Sequence, residues 1–438
     1  MSKKITNKVV GLVLIAISIL VIILSQDNFA MANIHLYLLV IMAIIDFVHS
    51  KSISLLTVWI VAFIFIILSE MILYCYNDSY TWVDKFVLLA NDAVLIGYYL
   101  STPPKFKGQI KSIRPQRKKT SFVIVLFLVY AIYLIYLVPI TIQSFMLGGR
   151  NIDSSSENVF FSMFLSGHHV LPLVFAYYFI RIKGKSKTIA FLVSLPLFII
   201  DFFSGTRFQF LFSIIPFFLV SGILSFDRIN FKRIISVAIV VFFIGFSANW
   251  MLQTRTSGID GGTELKKEEI KHPHNDYLSV RISKQGSSEG VIEMMNVLHN
   301  HMKTHEPTKG LSTGFIFYFW VPRTLWPDKP TMLGHWLPRK YMNVNEGHSI
   351  STGFAGEPYA DFSYFAFIFY LIMGILLKRG NALFLKYDYG RADTYTSLYV
   401  SLLIPYVFFI VRSPVTGTYY LFMQLLLLYV FNKIFIKE

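Results

Sequence analysis

The chain reads as an all-α polytopic integral membrane protein, with about twelve transmembrane helices and one large extracytoplasmic loop. Three observations predict this. Of its 438 residues, 55% are hydrophobic, 17% aromatic and only 15% charged, whereas a soluble domain is about a quarter charged. Apolar runs recur along the whole length, and a helix needs about 20 such residues to cross the hydrocarbon core. Lys and Arg are also sorted between alternate connections. The tails and loops on the N-terminal side hold 24 of the 40, the short loops on the other side hold 4, and the long loop holds 12. That asymmetry puts both termini in the cytoplasm.

In chain order the spans fall near 9–25, 34–50, 53–75, 86–100, 121–143, 159–180, 188–203, 208–225, 234–252, 361–377, 395–411 and 418–435. The first run, "VVGLVLIAISILVIILS", follows a basic tail and no small-residue cleavage site follows it, so it reads as a retained span. The fourth is the shortest. Glu70 and Asp92 lie within spans and are expected to pair inside the bundle. The basic run "KFKGQIKSIRPQRKKT" supplies orientation and contact with anionic lipid, so a net charge of +15 does not call for nucleic acid. Cys75 is the single cysteine, which excludes an internal disulfide. The chain divides into 1–252 with nine spans, 253–360 as the loop, and 361–438 with three more, all one membrane domain.

The loop opens on the polar "SGIDGGTELKKEEIKHPHND". In "VIEMMNVLHNHM", Val291, Met294, Met295, Leu298 and Met302 recur at helical spacing and predict a helix with one face on the membrane or the core. "GFIFYFWVP" is too short to span and is expected to dip into the interface or pack on the bundle.

Cations are scarce at the outer ends of spans, so those present carry the functional reading. They are Arg207 in "SGTR", Arg255 in "NWMLQTRTS", Arg323 and Lys329 in "VPRTLWPDKP", and Arg412 in "FIVRSPVTG". One such arginine alone reads as snorkelling to headgroups or pairing with an acid. Four on one face with Lys329 point to a shared anionic ligand, since a guanidinium grips phosphate oxygens bidentately. Ser204, Gly205 and Thr206 form a tight turn able to present backbone N–H groups beside Arg207. The prolines restrict Arg323 and Lys329, while Trp326 anchors at the interface or stacks on a sugar ring.

In "GFAGEPYADFSYF", Asp361 reads as the N-cap of the tenth span, and Glu357, before Pro358, reads as a turn residue. Glu357 is the candidate general base for a sugar hydroxyl. His168 and His169 fall within the sixth span and are either substrate contacts or packed, hydrogen-bonded histidines. His299, His301 and His305 do not share a helix face, and no HExxH occurs, so neither a metal nor a cofactor is expected.

A multi-span chain whose large late loop contains "PRTLWPDKP", with "SGTR" at a helix turn and "GEPYADF" opening a span, resembles the bacterial oligosaccharide repeat-unit polymerases of the Wzy type. The resemblance implies a large-loop glycosyltransferase of the bacterial cytoplasmic membrane acting on polyprenyl-diphosphate-linked oligosaccharides, such as undecaprenyl-linked ones, at the outer leaflet. It makes O-antigen or capsular polysaccharide from them, with a chain-length regulator and a flippase as expected partners. Arg207, Arg323 and Arg412 would then be the leading diphosphate ligands, supported by Arg255 and Lys329, with Glu357 as base. An O-antigen ligase shares donor and loop, and "PRTLWPDKP" favours the polymerase over it; a flippase for lipid-linked sugars is the rival from another class, and the gathering of charge at one face and the lack of a repeat stand against it.

Overall fold

The computed structural model describes residues 3–50, 53–74, 81–102, 120–146, 167–182, 187–203, 207–221, 290–321, 324–342, 350–386 and 396–435. Every regular element among them is helical. The N-terminal part holds α1 (Lys3–Leu24), α2 (Asn28–Ser50), α3 (Leu55–Phe63), which runs through a π-helical stretch (Ile64–Leu68) into α4 (Ser69–Tyr74), and α5 (Thr81–Leu100). After α6 (Thr120–Met146) comes a 3-10 turn (Gly167–Val170) leading into α7 (Leu171–Ala176), then α8 (Lys187–Phe203) and α9 (Arg207–Val220). The loop contributes α10 (Val291–Met302), the single turn α11 (Phe315–Tyr318) and α12 (Leu333–Met342). The chain ends with α13 (Gly353–Phe362), α14 (Ala366–Lys386), α15 (Thr396–Ser401), α16 (Leu403–Arg412) and α17 (Pro414–Phe435).

Five stretches are long and apolar enough to cross a membrane: Asn7–Leu24, Asn28–Ser50, Leu55–Ile72, Ile124–Ile142 and Gly353–Leu385. Shorter apolar helices at Gly167–Ile180, Phe210–Val220, Leu398–Arg412 and Leu421–Phe431 match further expected spans. The expected ninth span, 234–252, lies outside the described residues.

Two apolar cores organise the bundle. One joins α1–α5 to α10, α12, α13, α14 and α16; the other joins α6, α7, α8, α9, α15 and α17. The tightest crossing is that of α5 and α14. A Cβ on Gly97 would strike the Leu371 carbonyl oxygen, and one on Gly374 would strike the Val94 carbonyl oxygen, so glycine is what lets the two backbones touch. Buried polar chains lace the first core. The Ser18 hydroxyl donates to Asp92 at 2.7 Å and also bonds His35 Nδ1 at 2.8 Å. The Trp59 indole donates to Asn91 Oδ1 at 3.0 Å.

The helix expected at 291–302 forms as α10, and its apolar face belongs to the first core, with Val291, Met294, Met295 and Leu298 fully buried. Its position is set by Glu70, whose carboxylate accepts the N–H groups of Val291 at 3.0 Å and Ile292 at 3.2 Å. A carboxylate there satisfies two orphan donors and complements the helix dipole. Glu70 thus binds the loop helix, where a partner within the bundle was expected.

The tenth span also differs from expectation. Helix begins at Gly353, so Glu357 lies inside α13 with Pro358 after it, not in a turn. α13 is only ten residues long, and the carbonyl that Pro358 leaves unpaired falls near its start. Asp361 lies inside the same helix and is not its N-cap. Its carboxylate accepts the N–H of Ser312 at 2.9 Å and of Thr313 at 2.6 Å, the Thr313 hydroxyl at 2.7 Å, and the Thr308 hydroxyl. That side chain ties the loop segment before α11 to the membrane domain.

Candidate functional site

The two cores meet where α9 packs on α16. α9 contacts both α15 and α16, and the Phe212 and Phe409 rings lie 5.5 Å apart. Phe212 lies near the start of α9 and Phe409 near the end of α16, so their contact sets these two helix ends side by side. Arg207 begins the first and Arg412 ends the second. Five residues separate Arg207 from Phe212 and three separate Arg412 from Phe409, which puts both arginines about one turn beyond the aromatic contact. The Arg207 side chain, and all of Ser204, Thr206, Arg255 and Arg323, lie outside the described residues.

The segment carrying Arg412 is held from three directions. The Ser413 N–H closes α16 on the Phe409 carbonyl at 2.9 Å. The Ser351 hydroxyl donates to the Arg412 carbonyl. Glu357, buried in α13, accepts the Val415 N–H at 2.9 Å through Oε2. Pro414 starts α17 and has no N–H to satisfy, so Val415 is the first donor of that helix that needs a partner. A carboxylate at this point stabilises the helix start by roughly 0.5–2 kcal/mol and fixes the break between α16 and α17 on which Arg412 sits.

A buried cluster joins the end of α8 to α9, and only its two histidines were expected from the sequence. His168 Nε2 is 2.5 Å from Asp201 Oδ1. His169 Nδ1 is 3.2 Å from Asp201 and 2.9 Å from the Ser213 hydroxyl, which itself donates to Asp201. The 3-10 turn, α8 and α9 are therefore joined through one carboxylate, within a few residues of Arg207. Ligating atoms of His168, His169 and Asp201 all lie within 4.8 Å of one another, which invites a metal. A metal-bound imidazole, however, carries its proton on the other ring nitrogen, and that N–H takes an acceptor. Among the described residues, His169 Nε2 is buried with no hydrogen-bond partner, as suits a bare lone pair on a ring that donates from Nδ1. The arrangement is a hydrogen-bonded clamp. Sequence reasoning missed Asp201, although a carboxylate inside the apolar run "LFIIDFF" is itself a signal.

Other expected site residues are placed as follows. The Lys329 ammonium is buried and donates to the carbonyls of Phe319 at 2.6 Å and Val321 at 2.9 Å. Lys329 therefore braces its own hairpin where contact with an anion was expected. Trp326 is exposed, its ring 5.2 Å from that of Tyr318. His299 stacks on Trp82 at 3.6 Å while His301 stacks on His305 at 3.9 Å, so His299 stands apart from the His301–His305 pair. Burial and the neighbouring Lys303 lower the His299 pKa; burial, His305 and Lys340 lower that of His301 to about 4.

The family described as O-antigen polysaccharide polymerase Wzy matches residues 8–438, essentially the whole chain. The chain belongs to that family. No curated protein and no solved structure gives a significant match.

Proposed function

We propose that this member of the O-antigen polysaccharide polymerase family joins polyprenyl-diphosphate-linked repeat units at the outer leaflet, moving the growing chain from its carrier onto a new lipid-linked repeat. The observation that carries this reading is the Phe212–Phe409 contact, which brings the helix ends bearing Arg207 and Arg412 to one end of the bundle at the seam of the two cores. In this reading that end faces outward and both termini lie in the cytoplasm.

In the reaction, the bond from the donor's anomeric carbon to the diphosphate oxygen breaks, and the acceptor hydroxyl forms the new glycosidic bond. The departing diphosphate gains negative charge. Preorganised guanidinium groups lower that barrier, because they need no reorganisation as charge develops. Arg207, Arg323 and Arg412 take this role, with Arg255 in support. Glu357 is the proposed acceptor of the hydroxyl proton, and its bond to Val415 N–H keeps it beside the Arg412 segment. Trp326 and the Ser204–Thr206 turn are proposed sugar and lipid contacts.

The test uses purified protein in liposomes with the host's lipid-linked repeat unit and no nucleotide sugar. A ladder spaced by one repeat supports the reading. No ladder from intact substrate and folded protein overturns it, and addition of lipid A core then tests transfer to a ligase acceptor.

A further inference from the structure

The segment 311–329 behaves as no ordinary surface loop does. Its described residues are 311–321 and 324–329. Phe315 and Phe319 pack on Met423 of α17. Met423 is nine residues along from Pro414, so the loop reaches about 13 Å down the flank of that helix at 1.5 Å per residue. Gly310, at its base, approaches the Phe362 ring at the end of α13, and Asp361 holds the Ser312 and Thr313 N–H groups.

Polar groups in this segment turn inward. The Tyr318 hydroxyl donates to the Leu311 carbonyl, and the Trp320 indole donates to the Phe317 carbonyl at 2.7 Å. The Lys329 ammonium takes the Phe319 and Val321 carbonyls and lies 5.5 Å from the centre of the Phe315 ring. Backbone turns close as well: Gly314 N–H to Gly310 O at 2.8 Å, and Val321 N–H to Tyr318 O at 3.0 Å. Apolar side chains turn outward instead. Phe317 is 75% exposed and Leu325 78%, with Leu311 and Trp320 also exposed. Water would favour the opposite arrangement; hydrocarbon demands this one, because no solvent is there to satisfy a stray carbonyl. The membrane helix α14 shows the same character, exposing Ile368, Ile372 and Leu376 as a stripe at four-residue spacing.

We propose that residues 311–321 and 324–329 form a re-entrant hairpin within one leaflet, whose edge of Leu311, Phe317, Trp320 and Leu325 is covered by phospholipid acyl chains, as the exposed stripe of α14 is. The exposed Thr324 and Asp328 remain at the headgroup level and set how far the hairpin descends. The inference rests on membrane residence alone and stands whether or not the polymerase reading does.

Site-directed spin labelling in phosphatidylcholine liposomes tests it. Single cysteines replace Phe317 or Leu325 in a Cys75→Ser background, with Ile372→Cys as the lipid-facing standard and Glu306→Cys as the aqueous one. The labels at 317 and 325 should be reached by oxygen in preference to a water-soluble nickel complex, in the same ratio as at 372. A ratio like that at 306 overturns the proposal. Protection from both reagents also overturns it, because the edge is then covered by protein, such as a second copy. Should the cysteine background fail to fold, dibrominated lipid applied to the unaltered protein gives the second measurement. It should quench tryptophan emission, and Trp320→Phe should remove much of that quenching. Equal quenching with and without Trp320 counts against the hairpin.

Discussion

The Glu357 carboxylate in α13 accepts the backbone N–H of Val415, the second residue of α17, at 2.9 Å. One side chain thus ties the break that carries Arg412 to the helix leaving the long loop. Glutamine keeps an oxygen for Val415 but does not take up a proton. Glu357→Gln should therefore retain the wild-type melting temperature and lose polymer, whereas Glu357→Ala should lose both. Gel ladders and thermal unfolding in detergent separate the two effects. Full polymer from the glutamine variant would leave Glu357 as an anchor only.

Arginine truncation should act on chemistry and leave the fold in place. Arg207→Ala, Arg323→Ala and Arg412→Ala are each expected to cut polymer formation by about 100-fold or more, the loss seen when one preorganised donor to a developing anion is removed. Protein level and membrane insertion should stay unchanged. Arg412→Lys should remain impaired where the grip is bidentate. Wild-type ladders from the Arg207 and Arg412 variants would remove the assignment.

Asp201 collects His168, His169 and Ser213 within the apolar second core. Removing the carboxylate leaves three polar groups buried without their acceptor. Asp201→Ala should lower stability by about 3 kcal/mol or more, in the range for breaking a buried charged network, and Asp201→Asn by less, since one acceptor oxygen remains. Thermal unfolding in detergent reads this directly, and an unchanged midpoint in Asp201→Ala would refute the clamp.

The contact of α10 with α12 should weaken in acid. His301 bonds the Tyr341 hydroxyl at 2.5 Å, and its pKa stands at about 4 against an ordinary 6.5. The dislodged state takes up the proton first on acidification, so the contact keeps its full stability above about pH 6.5 and loses it progressively down to about pH 4. Lys303, His305 and Lys340 face the same region, so the comparison must be between wild type and His301→Gln. Hydrogen exchange of residues 291–302 should rise between those pH values in wild type and stay flatter in the variant.

Close approach of α5 and α14 should tolerate no side chain. Gly374→Leu drives a Cβ into the Val94 carbonyl, and since backbone has to move, the cost should reach or exceed the roughly 1–3 kcal/mol of ordinary overpacking. A melting temperature equal to that of wild type would show that the helices cross less tightly.

Helix content, the order of most spans and the amphipathic helix 291–302 were legible in the chain, because hydropathy and helical periodicity are sums over near neighbours. Arg207 and Arg412 stand out for a similar local reason: a cation at the end of an apolar run is conspicuous against its own surroundings. Partners were not legible. Glu70 and Val291 stand 221 positions apart, and Glu357 and Val415 stand 58 apart. Nothing in a run of neighbours says which orphan N–H a buried carboxylate will meet. Asp361 looked like a helix cap because it precedes an apolar run, yet Gly353 starts the helix and frees Asp361 for the loop. Lys329 looked like an anion ligand because it sits among prolines, yet its own hairpin supplies the carbonyls that take its charge. Membrane class, then, follows from composition alone. Which buried charges brace the fold, and through which partners, was decided only when packing brought distant donors and acceptors within 3 Å or so, where a buried polar group without a partner is costly.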